Sequence, residues 1–371
     1  MKTTLTQNRH SIVERLAQQL PMVCISLLCG NLTTFAQWST VSTANNRVCF
    51  APGNQIIPDA ATDGAGGIIM AWADYRLGLT NVDVYAQRID ASGSTKWTLD
   101  GIPVTTTSGS QFLPVVATDG AGGAIIAWNQ GSGVFAQRVD ATGGFLWQTN
   151  GIAVLSGVQG QPNPRIVSDG SGGAIVVWTD YRNGFADKNI YAQRIDATGN
   201  TVWTTDGVAL CVAADHQANP AIIGDGSGGA IVVWEDLRGT DTTDIYAQHI
   251  DASGVPQWTP NGVAIVTATG VQRSPVLARD GSGGAVIVWE DDRNAGTAPT
   301  FMPSVSAPQA QSSGRRMELW YAMRQTDSIL PMSPRMDQAA SLSHGKMFVQ
   351  ERGSMRSVSM RQGIRRGWRT E

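Results

Sequence analysis

The segment DGSGGAIVVWEDLR, residues 225–238, determines how the whole sequence is read. It joins a glycine-rich turn, an apolar run and a charged end. Close copies begin at Asp63, Asp119, Asp169 and Asp280, and in every copy a tryptophan follows the aspartate after nine residues. The copies recur every 50–56 residues. A period of this length indicates a fold built from stacked, similar units.

One unit reads as four antiparallel strands. A short first strand, such as PAIIGD, leads into DGSGG, whose glycines can adopt the positive φ of a tight hairpin. The apolar run AIVVW predicts a second strand that is covered on both faces. The alternating DIYAQHID predicts the third strand. The ASG turn then leads into a fourth strand that ends at a second tryptophan, and NGVAIV crosses to the next unit.

A single sheet of this kind leaves apolar faces in water, whereas radial stacking covers each sheet with its neighbour. The sequence therefore predicts an all-β, propeller-like array of four-stranded antiparallel blades over residues 37–299, with four complete blades and a truncated fifth. A long β-solenoid is the alternative, although solenoid coils are usually shorter. The tryptophans predicted to fill the layers between blades are Trp72, Trp128, Trp178, Trp234 and Trp289.

Charge is distributed unevenly along the 371 residues. Residues 37–299 contain 13 Lys or Arg against 24 Asp or Glu, whereas residues 300–371 contain 11 against 5. The acidic central region argues against a nucleic-acid partner, which requires clustered cations. Cys49 and Cys211 each lie nine residues before a repeated proline. We interpret both as occupying one small core position in different repeats, and not as a disulfide.

The first 36 residues have the pattern of a signal peptide. Basic residues precede the apolar run LPMVCISLLCGNLTTFA, and cleavage is expected near Ala36. A short buried helix is the alternative. No other segment is apolar enough to span a membrane. The sequence thus predicts a secreted or cell-surface protein.

Residues 300–371 form a different kind of segment, in which the repeat is lost. Residues 336–340, MDQAA, can be encoded so that the shifted reading frame gives DGSGG at the expected position. We hypothesise that the chain is read out of frame after about residues 294–299. The tail would then be unstructured, disordered or partly helical, and would carry no functional residue.

The hairpin AQRIDASGSTKW, residues 86–97, resembles two known blade motifs. Quinoprotein dehydrogenases dock adjacent blades with an Ala, Asp, Thr-Gly and Trp pattern, but the spacing from Asp90 to Gly93 is one residue shorter here. Asp-boxes of sialidases place Asp and Gly two residues apart, and here they are three apart. The chain thus resembles secreted bacterial β-propeller repeat proteins. This resemblance implies an architecture and no particular chemistry, and a quinone-dependent dehydrogenase is only a distant third possibility.

Residues that recur in the blades are most simply structural, because a ring has one ligand site but many contacts between blades. The pattern W-x-D-x-R is therefore interpreted as an Asp–Arg pair that fixes a loop, and its members are Asp74, Arg76, Asp180, Arg182, Asp236, Arg238, Asp291 and Arg293. The second blade has WNQGSG instead. One carboxylate in DGSGG is too few for a calcium loop.

A recurring glutamine three residues before each repeat proline gives a candidate ligand site. These glutamines could ring one face of the array, or their amides could hold their own loops. The candidates are Gln55, Gln111, Gln161, Gln217 and Gln272, together with His216, the only histidine in these connections. His249 replaces an arginine. Neither histidine has neighbours at metal-ligand spacing, so no metal or cofactor is predicted.

These observations lead to a prediction about function. We expect a non-catalytic binding module for an extracellular glycan or protein, with its ligand on the face that carries the Gln-x-x-Pro and W-x-D-x-R loops. The alternative is an extracellular, glycosidase-like hydrolase of carbohydrate or another polymer, with carboxylates drawn from those loops. No Ser/His/Asp set or isolated carboxylate pair stands out in the sequence.

Overall fold

The computed structural model describes residues 46–157, 160–238 and 242–293, together with the backbone of residues 300–306, 346–351 and 354–359. It is all-β, with four sheets of four antiparallel strands and a fifth sheet of three. We call these sheets blades 1 to 5 in chain order. The predicted propeller-like array of blades is confirmed. The proposed signal peptide, residues 1–36, lies outside the described residues.

Each of the first four blades is a simple meander, in which every strand pairs with the next along the chain. Blade 1 contains β1 (Gln55–Thr62), β2 (Ile68–Asp74), β3 (Asp83–Ile89) and β4 (Ile102–Pro103). Blade 2 contains β5 (Gln111–Thr118), β6 (Ala124–Gln130), β7 (Gly133–Val139) and β8 (Ile152–Leu155). Blade 3 contains β9 (Arg165–Ser168), β10 (Ala174–Asp180), β11 (Asn189–Ile195) and β12 (Val208–Cys211). Blade 4 contains β13 (Gln217–Gly224), β14 (Ala230–Asp236), β15 (Asp244–Ile250) and β16 (Val263–Val266).

The glycine-rich turn forms as the sequence predicts, and its aspartate holds it closed. In blade 1 the Asp63 carboxylate accepts hydrogen bonds of 2.8 Å from the amides of both Ala65 and Gly67. A side chain at Gly67 would place its Cβ only 2.3 Å from the carbonyl oxygen of Ile89. The last glycine of the turn is therefore required by the close approach of β3.

The fourth strand differs from its predicted position. The segment from the ASG turn to the second tryptophan makes only an isolated bridge, such as Ile89 with Thr95. The outer strand comes later, from NGVAIV, which the sequence analysis assigned to the crossover. Asp100 and Gly101 have φ values of 64° and 87°, so the chain turns once more before the strand begins.

Neighbouring blades are joined by apolar layers and by a repeated hydrogen-bonded contact. Trp128, Trp178 and Trp234 are fully buried in the clusters that neighbouring sheets share. The indole of Trp97 and the guanidinium of Arg88 both donate to the carbonyl oxygen of Ala141 in the next blade, at 3.2 and 2.9 Å. These tryptophan layers thus hold the blades together.

Blade 5 contains β17 (Gln272–Arg279), β18 (Ala285–Asp291) and β19 (Thr300–Ser306), and β20 (Lys346–Glu351) pairs with β21 (Ser354–Ser359). The strand β19 pairs with β18 in the register that β3 has on β2. An extended segment can add to β18, because the edge of this strand would otherwise be unpaired. Most of residues 300–371 lie outside the described residues, so the expected disordered or partly helical tail stays a prediction. The frameshift stays a hypothesis.

Candidate functional site

The starts of the first and third strands and the end of the second lie along one edge of each blade. In blade 1, Gln55 pairs with Asp74, and Asp74 pairs with Asp83. In blade 4 the corresponding row is Gln217, Asp236 and Asp244. Each row therefore brings a repeated glutamine and a repeated aspartate beside a third residue, at the start of the third strand, that varies between blades.

The W-x-D-x-R residues form closed pairs at this edge. In blade 3, the Asp180 carboxylate accepts 2.8 Å hydrogen bonds from Nε and Nη2 of Arg182, and a 2.7 Å bond from the Trp178 indole. Blades 1 and 4 repeat these contacts with Asp74 and Asp236. In each of these three blades the arginine guanidinium also stacks on a tyrosine ring of the third strand, namely Tyr85, Tyr191 or Tyr246. A buried, bidentate pair of this kind holds the end of the second strand in place.

The repeated Gln-x-x-Pro segment forms a β-bulge at the start of the first strand in blades 1, 2, 4 and 5. In four blades the residue before the proline has a positive φ, and these residues are Ile57, Leu113, Asn219 and Ser274. Proline suits a bulge because it has no N–H to donate to the sheet. The chain bends here, which sets the loop before each strand close to the glutamine.

The candidate glutamines contact their own loops. The side-chain amides of Gln55, Gln111, Gln217 and Gln272 donate to backbone carbonyls two to four residues earlier. Gln161 is exposed and precedes β9 without joining it. The side-chain oxygens of Gln111, Gln217 and Gln272 are buried and have no hydrogen-bond partner among the described residues. A ligand role for the glutamines stays a prediction.

Blade 2 departs from the other blades at the same edge. Gln130 and Gly133 occupy the positions of Asp74 and Asp83, and only two residues connect β6 to β7. An open cleft of about 450 Å³ lies here, lined by the loops that contain Ser110, Ser132 and Ser156. A second cleft of about 440 Å³ lies between residues 46–49 and blade 1.

The third residue of the row supplies an isolated buried carboxylate in two blades, Asp83 in blade 1 and Asp244 in blade 4, with exposures of 2% and 6%. Burial raises the pKa of Asp83, and the neighbouring charge of Asp74 raises it further. Burial also acts on Asp74, but hydrogen bonds from Arg76 and Trp72 dominate and lower its pKa. The pKa values of these two facing carboxyl groups thus shift in opposite directions.

Sequence reasoning missed Asp83 and Asp244. The signal available was variation at one position: the residue two before the aromatic of the third strand is Asp83, Gly133, Asn189 or Asp244 in blades 1 to 4. A residue that is charged in only some blades is an exception to the repeat. Its burial and its facing partner, however, become visible only in the strand register.

The two histidines lie in different environments. His216 precedes β13, and its Nδ1 is buried with no partner in the described part of the chain. His249 replaces an arginine, and its Nε2 lies 2.9 Å from Asp225 Oδ2. Within the described ranges no three His, Cys, Asp or Glu residues group as a metal site would require. Those ranges also contain no helix with the length and apolar character needed to cross a bilayer.

Comparison of the sequence with protein-family models and with curated proteins gives no match. Among solved structures, the chain is similar to the α-L-arabinanase of Penicillium chrysogenum complexed with arabinobiose, at 14% identity over 69% of this chain and 80% of that chain, with a TM-score of 0.42. The GH93 α-L-arabinofuranosidase of Fusarium graminearum gives 13% identity over 70% and 84%, with a TM-score of 0.43. An endo-arabinase from Bacteroides thetaiotaomicron gives 15% identity over 69% and 94%, with a TM-score of 0.36.

The prediction of a non-catalytic binding module is wrong as the main interpretation, because these similar structures are carbohydrate-degrading enzymes. The contacts give a physical reason for the error. The Asp–Arg pairs that marked the predicted ligand face close on one another and hold their own loops. The chemically distinctive residues at this edge are instead the ones that break the repeat.

Proposed function

We propose that this protein is a glycoside hydrolase whose site lies at the junction of blades 1 and 2. The observation that supports this is the facing pair of Asp74 and Asp83, whose pKa values shift in opposite directions. Asp83 is the general acid, and Asp74 is the ionised carboxylate. Glycosidic bonds are commonly cleaved by two carboxyl groups, one of which is protonated and one of which is charged.

The geometry suits this division of roles. Residues that face each other in an antiparallel pair have Cβ atoms about 4.5–5.5 Å apart. The charge of each carboxylate disfavours ionisation of the other. Asp74 is already stabilised as an anion by Arg76 and Trp72, whereas one oxygen of Asp83 has no partner among the described residues. Of the two groups, Asp83 therefore holds a proton more readily.

The cleft of blade 2 adjoins this acid. The amide of Val82, which precedes Asp83, donates to Ser110 Oγ at 3.4 Å, and the amide of Gln111 donates to the Val82 carbonyl at 2.7 Å. Ser110 lines the cleft. The backbone contact recurs at Asp244, where the amide of Gln272 donates to the Thr243 carbonyl at 2.8 Å. The difference is that blade 5 carries the Asp291–Arg293 pair at the place of Gln130 and Ser132.

Substrate reaches Asp83 when residues 77–80 move aside, while Arg76 stays paired with Asp74. This segment is weakly held: the side chains of Leu77 and Leu79 are 60% and 80% exposed, and a Cβ on Gly78 would meet nothing within 4 Å. Loops with few buried contacts open at low cost in free energy. In our proposal the signal-peptide pattern of residues 1–36 makes the substrate an extracellular polysaccharide.

The test is reducing-sugar release from a panel of arabinan, xylan and arabinoxylan. We expect turnover by the wild-type chain and a loss of about 10²–10⁴-fold in Asp83→Asn. Asparagine is accepted here structurally, because Asn189 occupies this position in blade 3. Asp244→Asn is the matched control and should retain activity. Absence of turnover on neutral polysaccharides, or equal losses in both variants, would contradict the proposal.

A further inference from the structure

The aromatic ring of the third strand is covered in three blades and uncovered in blade 2. In blades 1, 3 and 4 an arginine guanidinium lies 3.6–3.9 Å from the centroid of a tyrosine ring, and the pairs are Arg76 with Tyr85, Arg182 with Tyr191, and Arg238 with Tyr246. Blade 2 places Phe135 at the tyrosine position and Ser132 at that of the arginine. A serine side chain cannot extend over the ring.

The space that the arginine fills elsewhere is part of the cleft of blade 2. Phe135 lines this cleft of about 450 Å³ together with Gln130 and four serines, Ser108, Ser110, Ser132 and Ser156. Phe135 is also stacked on the buried Trp128, with ring centroids 6.4 Å apart and an interplanar angle of 21°. The ring therefore packs against Trp128 and lines the cleft together with the four serines.

The lining determines the class of ligand. The described residues that line the cleft carry no formal charge, so an ionic ligand would lose its hydration without gaining a counter-charge. Serine hydroxyls both donate and accept hydrogen bonds, as do the hydroxyls of a sugar. An aromatic face contributes apolar contact to one side of a flat ligand. A neutral sugar ring has both features, with C–H groups on its faces and hydroxyls at its rim.

We propose that the cleft of blade 2 is a sugar-binding subsite, in which one neutral sugar unit stacks on Phe135 and hydrogen-bonds to the surrounding serines. The ligand occupies the place that a guanidinium takes in blades 1, 3 and 4. That this sugar belongs to the substrate rests on the proposed function, since Ser110 joins the cleft to the segment that carries Asp83. The binding itself is independent of catalysis.

The test is isothermal titration of Asp83→Asn, which is inactive in our account, with arabinotriose, xylotriose and the charged trigalacturonic acid. We expect a neutral trisaccharide to bind, and Phe135→Leu in this background to weaken it about two- to tenfold, the usual contribution of an aromatic contact. Tyr191→Leu removes the covered ring of blade 3 and should leave the affinity unchanged. The charged trisaccharide should bind more weakly.

A second variant keeps the test decisive if Phe135→Leu folds poorly. Ser132→Arg, combined with Gln130→Asp, places the residues of the W-x-D-x-R pattern in blade 2, and the arginine would compete with the sugar for the ring. Sugar binding should be lost while the thermal midpoint is maintained. Unchanged affinity in both the Phe135 and Ser132 variants would overturn the subsite, even if hydrolysis is observed. Phe135-dependent binding without wild-type turnover would support the subsite and refute the hydrolase.

Discussion

Blades 2 and 3 have the same four-stranded fold and differ at one edge. In blade 3, Asp180 binds Arg182, and Arg182 covers Tyr191, so that the edge is closed by its own side chains. In blade 2, the residues at the Asp and Arg positions are Gln130 and Ser132, and an open cleft lies there. The comparison shows that an open cleft lies in blade 2 where blade 3 has a structural Asp–Arg pair. In our proposal the repeated Asp74 acts together with Asp83, a residue that varies between blades.

The largest expected effect concerns the layer that the two blades share. Trp178 is fully buried among residues of blades 2 and 3. Trp178→Ala should lower the free energy of unfolding by about 3–5 kcal/mol, because it leaves a large cavity. Phe185→Ala, at a side chain that is 64% exposed, should stay within about 0.5 kcal/mol. Urea denaturation measures both, and similar losses would show that the layer between blades is not the main source of stability.

The next largest effect compares the stability that blade 3 gains from its Asp–Arg pair with the stability that blade 2 gains at the same edge. Asp180→Asn removes the buried charge that faces Arg182 and should destabilise the fold by about 2–3 kcal/mol, because a neutral amide cannot accept all the hydrogen bonds that Arg182 and Trp178 donate to the carboxylate. Gln130 in blade 2 accepts a single neutral hydrogen bond of 3.2 Å from Trp128. Gln130→Ala should therefore cost only about 0.5–1.5 kcal/mol. If the two variants unfold at the same urea concentration, the pairing assigned to blade 3 is not a stabilising feature.

A smaller effect should depend on pH. Burial and the charge of Asp74 raise the pKa of Asp83 above its usual value of 3.8. The folded state therefore holds this proton more tightly than the unfolded state does. The resulting stability is complete below the unfolded pKa and is lost as the pH rises through the folded pKa. Asp83→Asn should thus be more stable than the wild-type chain at neutral pH, and this advantage should shrink in acid.

This pH dependence is checked by measuring the thermal midpoint of the wild-type chain and of Asp83→Asn from pH 3 to pH 8. Asp74 behaves oppositely: its lowered pKa gives stability that is present above the unfolded pKa and lost as the pH falls through the folded one. Asp74→Asn should accordingly lose stability at neutral pH. Parallel pH curves for the wild-type chain and Asp83→Asn would mean that Asp83 is not perturbed.

Most of the fold could be predicted from sequence, because its signals are local. The turn aspartates, the apolar second strands and the tryptophan spacing each act within one blade or between adjacent blades. The fourth strand was misplaced because the turn signal at Asp100-Gly101 was read as part of the crossover to the next blade, although Asp-Gly commonly marks a turn before a strand. The strand β19 lies in residues that follow no repeat pattern, so its pairing with β18 was not predictable.

The candidate site was harder to predict because it depends on register and on missing contacts. Nothing in the sequence shows that Asp83 faces Asp74, since eight residues separate them. The uncovered ring of Phe135 is also invisible in sequence, because the covering arginine of the other blades lies on a loop of variable length. The sequence shows that blade 2 has WNQGSG in place of W-x-D-x-R, but the open cleft that results depends on how the surrounding side chains pack.

The most direct test of the central claim is the pH dependence of kcat/KM for hydrolysis of a neutral polysaccharide by the wild-type chain. Activity should fall in acid as Asp74 becomes protonated and fall again at higher pH as Asp83 ionises. We expect this bell-shaped profile, and we expect Asp244→Asn to leave both limbs unchanged. No turnover at any pH, or a profile whose alkaline limb moves in Asp244→Asn, would contradict the assignment of the Asp74–Asp83 pair.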